Sequence, residues 1–207
     1  MSDAAFQAVC EKVIKISDPA RAARMCGFKY DGTAQQGHFH IRLLHSVVYL
    51  DFPECTAYFM PEKKPVPQHI VTLLLYHLVT EDGTAPTRHW ISFQDLPDGN
   101  FYATAFRSYT SQVLERHFRS NLPGVREAGE KLRLTELRFK ADLAYLIPVL
   151  PKIRIVFVYW AADKEFPAYA DFLFDKTAPC HLPTDCYAVL CSWLTQSIIK
   201  GRFFYEG

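Results

Sequence analysis

The stretch Ile153–Asp175, IRIVFVYWAADKEFPAYADFLFD, decides the fold. Ile153 to Trp160 is an unbroken apolar run rich in β-branched and aromatic side chains. That length and composition predict a strand buried on both faces. Pro151 blocks its extension on one side, and the chain turns at Ala161-Ala162. Asp163, Glu165, Asp171 and Asp175 then follow in close succession. Carboxylates just past a central strand stand on loops held by a rigid scaffold, where functional groups often sit. The same residues also read as structural, with Asp163 capping a short helix or turn and Asp175 fixing the turn from Lys176 to Pro179.

Working outward, residues 4–16 repeat Phe6, Val9, Cys10, Val13 and Ile14 at helical spacing, and Asp18-Pro19 ends that helix. A short helix over Arg21–Met25 stops at Gly27. His38 to Leu44 alternates, with Phe39, Ile41 and Leu43 on one side and His38, His40 and Arg42 on the other. This predicts a half-buried strand paired through a tight hairpin with Val47–Phe52. Gln68–Leu78 is apolar almost all round and reads as a buried helix. Trp90–Phe93 reads as a short extended segment, Leu96–Asn100 as a turn, and Tyr109–Arg119 as a helix. Another helix starts at Pro123. Residues 132–140 alternate in two phases, which a strand with a bulge near Glu136 would reconcile. Leu143–Leu150 is apolar and leads to the buried strand. From Thr184, Tyr187, Leu190, Cys191, Leu194 and Ile198 form one helical face, closed by Gly201. The expectation is a single compact α+β domain, with a mixed, mostly antiparallel sheet, a buried central strand and packed helices. Residues 1–66 form N-terminal helices and a hairpin, and 67–207 form the core.

Lys and Arg number 23 against 22 Asp and Glu, a net charge of +1, which makes no electrostatic case for nucleic acid or an anionic membrane. The N-terminus shows no signal-peptide pattern, and the apolar runs fall short of the ~18 residues that a transmembrane helix needs. A cytoplasmic location is expected. The six cysteines show no C-x-x-C spacing and read as buried thiols. Nucleophile-elbow, phosphate-loop, H-E-x-x-H and dinucleotide motifs are absent from the sequence.

Several side chains are candidates for chemistry. His77 and His117 sit on the apolar sides of their helices, and a buried imidazole needs a partner that the acidic segment offers. A His77–carboxylate pair serves proton transfer or a satisfied core contact alike. A histidine on a helix among aromatics is also one way haem is held. His38 and His40 share a strand face and two imidazoles can share a metal, but the simpler reading is the polar outer face of a hairpin, and no metal site is expected.

Three segments together resemble a known family. They are LLLYHLVTEDGTAPTRHWISFQDLPDGNFYATAF, the strand LIPVLPKIRIVFVYW, and AADKEFPAYADFLFDKTAPCHLPTD. Ser92–Gly99, Asp163–Ala168, Leu173–Asp175 and Leu182–Asp185 carry the pattern of the family catalogued as domain of unknown function 3786, found largely in anaerobic bacteria and archaea. The resemblance runs from about Gln68 to the C-terminus. It implies no activity. Some relatives carry a cysteine-rich iron–sulfur segment that these 207 residues lack, so an electron-transfer role does not carry over. The family's occurrence among anaerobes points by association to a cofactor-related role.

Three functions are in view. The first is a small-molecule or cofactor-binding protein, with haem or a corrinoid as ligand, bound by His77, Arg88, His89, Trp90, Phe106, His117, Phe166 and Asp175. Aromatic walls with a few convergent polar groups suit such a site. The second is a module that docks on a partner protein through exposed aromatics. The third is an enzyme using Asp163 and Glu165 with His77 assisting, which predicts perturbed carboxylates in a cleft.

Overall fold

The computed structural model describes residues 2–203. The chain gathers into two compact units, neither continuous in sequence. The first holds the chain up to Pro86 together with Pro148–Ile153 and Thr177–Cys186, and the second holds Thr87–Ile147, Arg154–Lys176 and the chain from Tyr187. The helix that follows residue 66 buries its apolar surface against the N-terminal helices and belongs with them.

In the first unit, α1 (Asp3–Val13) begins at Ser2, whose side chain accepts the Ala5 N–H, and it buries Val9 and Val13. Asp18 caps α2 (Pro19–Cys26), where Pro19 occupies the first turn and Gly27 closes the helix at φ 74°. Five strands follow in sequence order and pair antiparallel: β1 (Lys29–Gly32), β2 (Gly37–Leu43), β3 (Ser46–Phe52), β4 (Ala57–Met60) and β5 (Lys64–Pro65). The alternation read from the sequence holds. Phe39, Ile41, Leu43, Val48, Leu50, Phe52, Ala57 and Phe59 are buried, and His38, His40, Tyr49, Asp51, Tyr58 and Met60 take the opposite face. Helix α3 (Gln68–Thr80) buries Ile70, Val71, Leu73, Leu74, Leu75 and Leu78 and packs on α1 and α2.

The second unit carries β6 (Trp90–Ser92), α4 (Gly99–Tyr109), α5 (Ser111–Phe118), α6 (Leu122–Lys131), β7 (Thr135–Glu136), β8 (Leu143–Pro148), β9 (Arg154–Trp160), β10 (Tyr169–Asp175) and α7 (Thr184–Lys200). Its sheet runs β6-β10-β9-β8-β7, which puts the apolar run at the centre. Residues Ile155–Tyr159 are all buried, as an unbroken apolar strand requires. On one face Ala144, Val156 and Val158 form a cluster with Trp90, Trp160 and Leu173 packed against it. On the other, Phe157 meets Phe172, and Phe174 meets Tyr187 at 5.2 Å between ring centroids. The predicted face of α7 is buried throughout. The fold class is α+β, with two antiparallel sheets in place of the single mixed one expected.

Three elements differ from the sequence reading. The strand expected over 132–140 shrinks to β7, because α6 ends in a Schellman motif. Arg133 takes φ 52°, Arg133 N–H donates to Glu130 O, and Leu134 N–H donates to Gly129 O. The chain after the Leu96–Asp98 turn enters α4 directly, and the helix expected from Tyr109 breaks at Thr110, whose ψ is −94°. Finally, the acidic segment contains a strand, β10, whose alternate residues Ala170, Phe172 and Phe174 are buried.

Candidate functional site

The outer face of the first sheet holds a groove of about 650 Å³, lined by His38, Tyr49, Asp51, Tyr58, Met60 and Lys63. Its construction follows from register. His38 lies directly opposite Asp51, His40 opposite Tyr49, and Tyr49 opposite Tyr58. Directly opposed side chains on one face come within contact distance. The His38 Nδ1–H donates to Asp51 Oδ1 at 2.6 Å, and Thr56 Oγ1 donates to Asp51 Oδ2 at 3.1 Å. A carboxylate only accepts, so Asp51 fixes the tautomer of His38 and leaves the Nε2 lone pair available. The His38 side chain is 52% exposed. His40 stacks on Tyr49 with centroids 4.2 Å apart, which steadies the tyrosine wall. Lys63, in the left-handed conformation at φ 54°, adds the cation at the rim. The groove thus joins an oriented imidazole, two phenol rings, a thioether and an ammonium.

A second polar cluster in the same unit is closed to solvent. Glu81, at the end of α3, has a side chain with no exposed surface. Lys152 Nζ donates to its Oε1 at 3.0 Å, and His181 Nδ1 donates to its Oε2 at 2.8 Å. The Gly83 N–H also donates to Oε1 at 2.8 Å. Burial alone would raise this carboxyl, but the hydrogen bonds from His181, Lys152 and Gly83 together hold it below its ordinary value. One turn earlier His77 Nδ1 donates to the His181 carbonyl at 2.8 Å, and its ring meets Phe28 edge-on. The His77 Nε2 is buried without a hydrogen-bond partner, and burial holds the imidazole below its usual pKa.

A third cluster belongs to the second unit. Arg107 donates to Glu115 Oε1 at 2.7 Å and to the Ala170 carbonyl at 3.2 Å, with Asp171 at 3.9 Å and the Tyr169 ring at 4.6 Å. Burial pushes the Asp171 carboxyl up to about 6.

The site residues expected from sequence are dispersed by the fold. His77 is wholly enclosed, and its nearest carboxylate is Glu81, not the acidic segment. Its free nitrogen faces the core, so the haem-ligand reading does not fit this histidine. His117 is on the exposed side of α5, against the edge of Phe118. Phe106 is a core residue, stacked face to face on Phe93 at 3.9 Å. Asp175 is buried and holds the incoming loop, accepting from Thr87 N–H, Thr87 Oγ1 and Arg88 N–H.

Arg88 and His89 are exposed and Trp90 half-buried. Trp90 pairs with Asp175 at the end of β10, whereas the loop carrying Asp163, Glu165 and Phe166 precedes its start at Tyr169. Six residues of strand, about 20 Å at ~3.3 Å each, separate the two groups. Asp163 accepts from the N–H groups of Phe166 and Glu165, which hold its carboxyl below the usual range and make it a turn former. The carboxylate that burial pushes up is Asp171, which the sequence reading did not select as a site residue. Sequence reasoning set the His38 face aside as a polar outer surface. The signal that finds the groove is the cross-strand placement of a histidine on an aspartate.

Fold and site define an α+β protein of two antiparallel sheets with an open polar–aromatic groove on one of them. The chain belongs to the family described as Domain of unknown function (DUF3786), whose model matches residues 18–197. No curated protein and no solved structure matches it. Among the described residues no group of three or more His, Cys, Asp or Glu is placed to hold a metal ion, and no helix is long and apolar enough to cross a membrane.

Two predictions follow from these placements. Phe106→Ala removes a buried stacked ring and lowers unfolding free energy by about 3–5 kcal/mol in urea titration, as a core residue does. The second concerns pH. The folded-state pKa of His77 lies below its ordinary 6.5, so the unfolded chain binds more protons in acid. Its contribution to stability is full above pH 6.5 and drains as pH falls towards the folded value, and Glu81 adds the same trend below 4.5. Urea midpoints measured across this range fall with acid, and His77→Asn flattens the upper part of the curve.

Proposed function

We propose that the protein binds a small molecule in the His38–Asp51 groove, and that the ligand is flat and anionic. A tetrapyrrole bearing carboxylates is the first class to test. The observation that supports this reading is a groove within the range of about 300–1,000 Å³ typical of ligand pockets, with convergent polar groups already oriented. Tyr49 and Tyr58 offer ring faces, Lys63 an ammonium for a carboxylate, and His38 a ring that Asp51 orients. Imidazole nitrogen and thioether sulfur are both ligand types for haem iron, which makes His38 and Met60 the residues of interest in place of His77. The thiols that the structure describes are all free, which suits a reducing prokaryotic cytoplasm.

The test is a spectroscopic titration with haemin and, separately, hydroxocobalamin. Saturation near one equivalent is expected, with His38→Ala and Lys63→Ala each weakening binding by about tenfold or more while leaving the unfolding free energy within about 0.5 kcal/mol of the parent. Equal binding by parent and variants would place the ligand elsewhere.

A second reading rests on α4, where Phe101 is 83% and Tyr102 63% exposed. Large exposed aromatics on one helix suit docking on another protein. Concentration-dependent self-association in analytical ultracentrifugation, abolished by Phe101→Ser, is the expected signature.

A further inference from the structure

Thr177, His181 and Glu81 form a chain of hydrogen bonds within the first unit. Thr177 and His181 flank a single 3₁₀ turn, Ala178–Cys180, and Glu81 caps the end of α3. The His181 Nε2 lies 3.1 Å from Thr177 Oγ1, and Nδ1 of the same ring donates to Glu81 Oε2 at 2.8 Å. A carboxylate only accepts, so in the neutral ring the proton sits on Nδ1 and the Nε2 lone pair faces the threonine hydroxyl. This is the order of an activated nucleophile: a hydroxyl within reach of a base, and the base oriented by a third group.

We propose that Thr177 is a nucleophile for acyl transfer from a carboxylic ester, with His181 as its general base and Glu81 as the positioning residue behind the base. This activity does not depend on the groove reading. Thr177 Oγ1 attacks the ester carbonyl carbon, a C–O bond forms, and the hydroxyl proton passes to His181 Nε2. The bond to the leaving oxygen breaks, and the imidazolium returns the proton to that oxygen as the alcohol departs. Water then attacks the acyl carbonyl, gives a proton to His181, and the acyl–threonine bond breaks. The same proton returns to Thr177 Oγ1, so one ester and one water give one acid and one alcohol.

Each member is held where its role needs it. The Cys180 N–H donates to the Thr177 carbonyl at 2.9 Å and the His181 N–H to the Ala178 carbonyl at 3.0 Å, so the turn fixes nucleophile and base four residues apart. A threonine at the head of such a turn ordinarily caps a backbone N–H. Thr177 makes no capping bond, and its hydroxyl meets the imidazole. His77 Nδ1 donates to the His181 carbonyl at 2.8 Å and steadies the base from its backbone side. Lys152 Nζ and the Gly83 N–H take Glu81 Oε1 and leave Oε2 to the imidazole. Against the rise that burial causes, these bonds and the one from His181 keep the Glu81 carboxyl below its ordinary value. It is thus ionised and able to stabilise the imidazolium formed during attack. The side chains of His181 and Glu81 are enclosed, whereas Thr177 is half-buried, so the ester arrives from the threonine end. The threonine methyl crowds the acyl carbon against water, which makes the acyl form long-lived.

The test incubates the full chain with p-nitrophenyl acetate, follows nitrophenolate release and maps the acetyl group by mass spectrometry of peptides. A stoichiometric burst is expected, with the acetyl group on Thr177. Thr177→Val, which keeps the side-chain shape and removes the hydroxyl, loses the burst while retaining the parent's circular dichroism, and Thr177→Ser restores it. His181→Gln slows acetylation of Thr177 by about a hundredfold, the scale of a lost general base. A burst in Thr177→Val equal to the parent's, or acetyl groups on lysine and histidine side chains only, would overturn the nucleophile. Acetylation of Thr177 at the same rate in native and urea-unfolded protein would overturn its activation by His181 and Glu81, whether or not His181→Gln folds.

Discussion

A buried carboxylate holds the first unit together. That unit is assembled from three separate stretches of chain, and Glu81 bonds to all of them: to Gly83 beside it, to Lys152 in the second stretch and to His181 in the third. His77 repeats the link to the third stretch through the His181 carbonyl, and Leu44 N–H donates to Val149 O in the second. An ionised carboxylate without water is costly unless its lone pairs are all engaged. Here Oε1 accepts two donors and Oε2 one, so the charge is compensated only when the three stretches meet. The contribution is mainly to specificity, since a misassembled unit leaves a buried charge unpaired.

The same antiparallel sheet gives this unit its core and its groove. The two-residue period sends Phe39, Val48, Leu50 and Phe59 inward and His38, Tyr49, Asp51 and Tyr58 outward. A site on the outer face leaves packing untouched when its residues change, and it keeps the precision of a strand scaffold. Register aligns His38 with Asp51, and no loop has to be ordered to bring them together. Thr56, which supports the Asp51 carboxylate, comes from the loop between β3 and β4.

Much of the fold was legible because apolar spacing reports burial directly. The hairpin Gly37–Phe52, the apolar helix α3, the central strand β9 and the buried face of α7 all follow from period alone. What was misread was the use of polar and aromatic residues within those elements. His77, Phe106 and Asp175 looked like ligands, yet each is enclosed and partnered within the core: His77 by a carbonyl, Phe106 by Phe93, Asp175 by two backbone N–H groups. A buried polar group and a binding group have the same sequence signature, because both need convergent partners. Local hydrogen bonding also won over pattern at residues 132–134, where the helix cap consumed the alternation that suggested a strand.

The sequence by itself determined most of the elements, their inward faces and the α+β class, since these depend on short-range spacing of apolar side chains. Tertiary structure alone decided which polar residues meet. Glu81 and His181 are a hundred residues apart, and His38 finds Asp51 only through strand register. Such contacts depend on three-dimensional closure, which short-range periodicity does not encode.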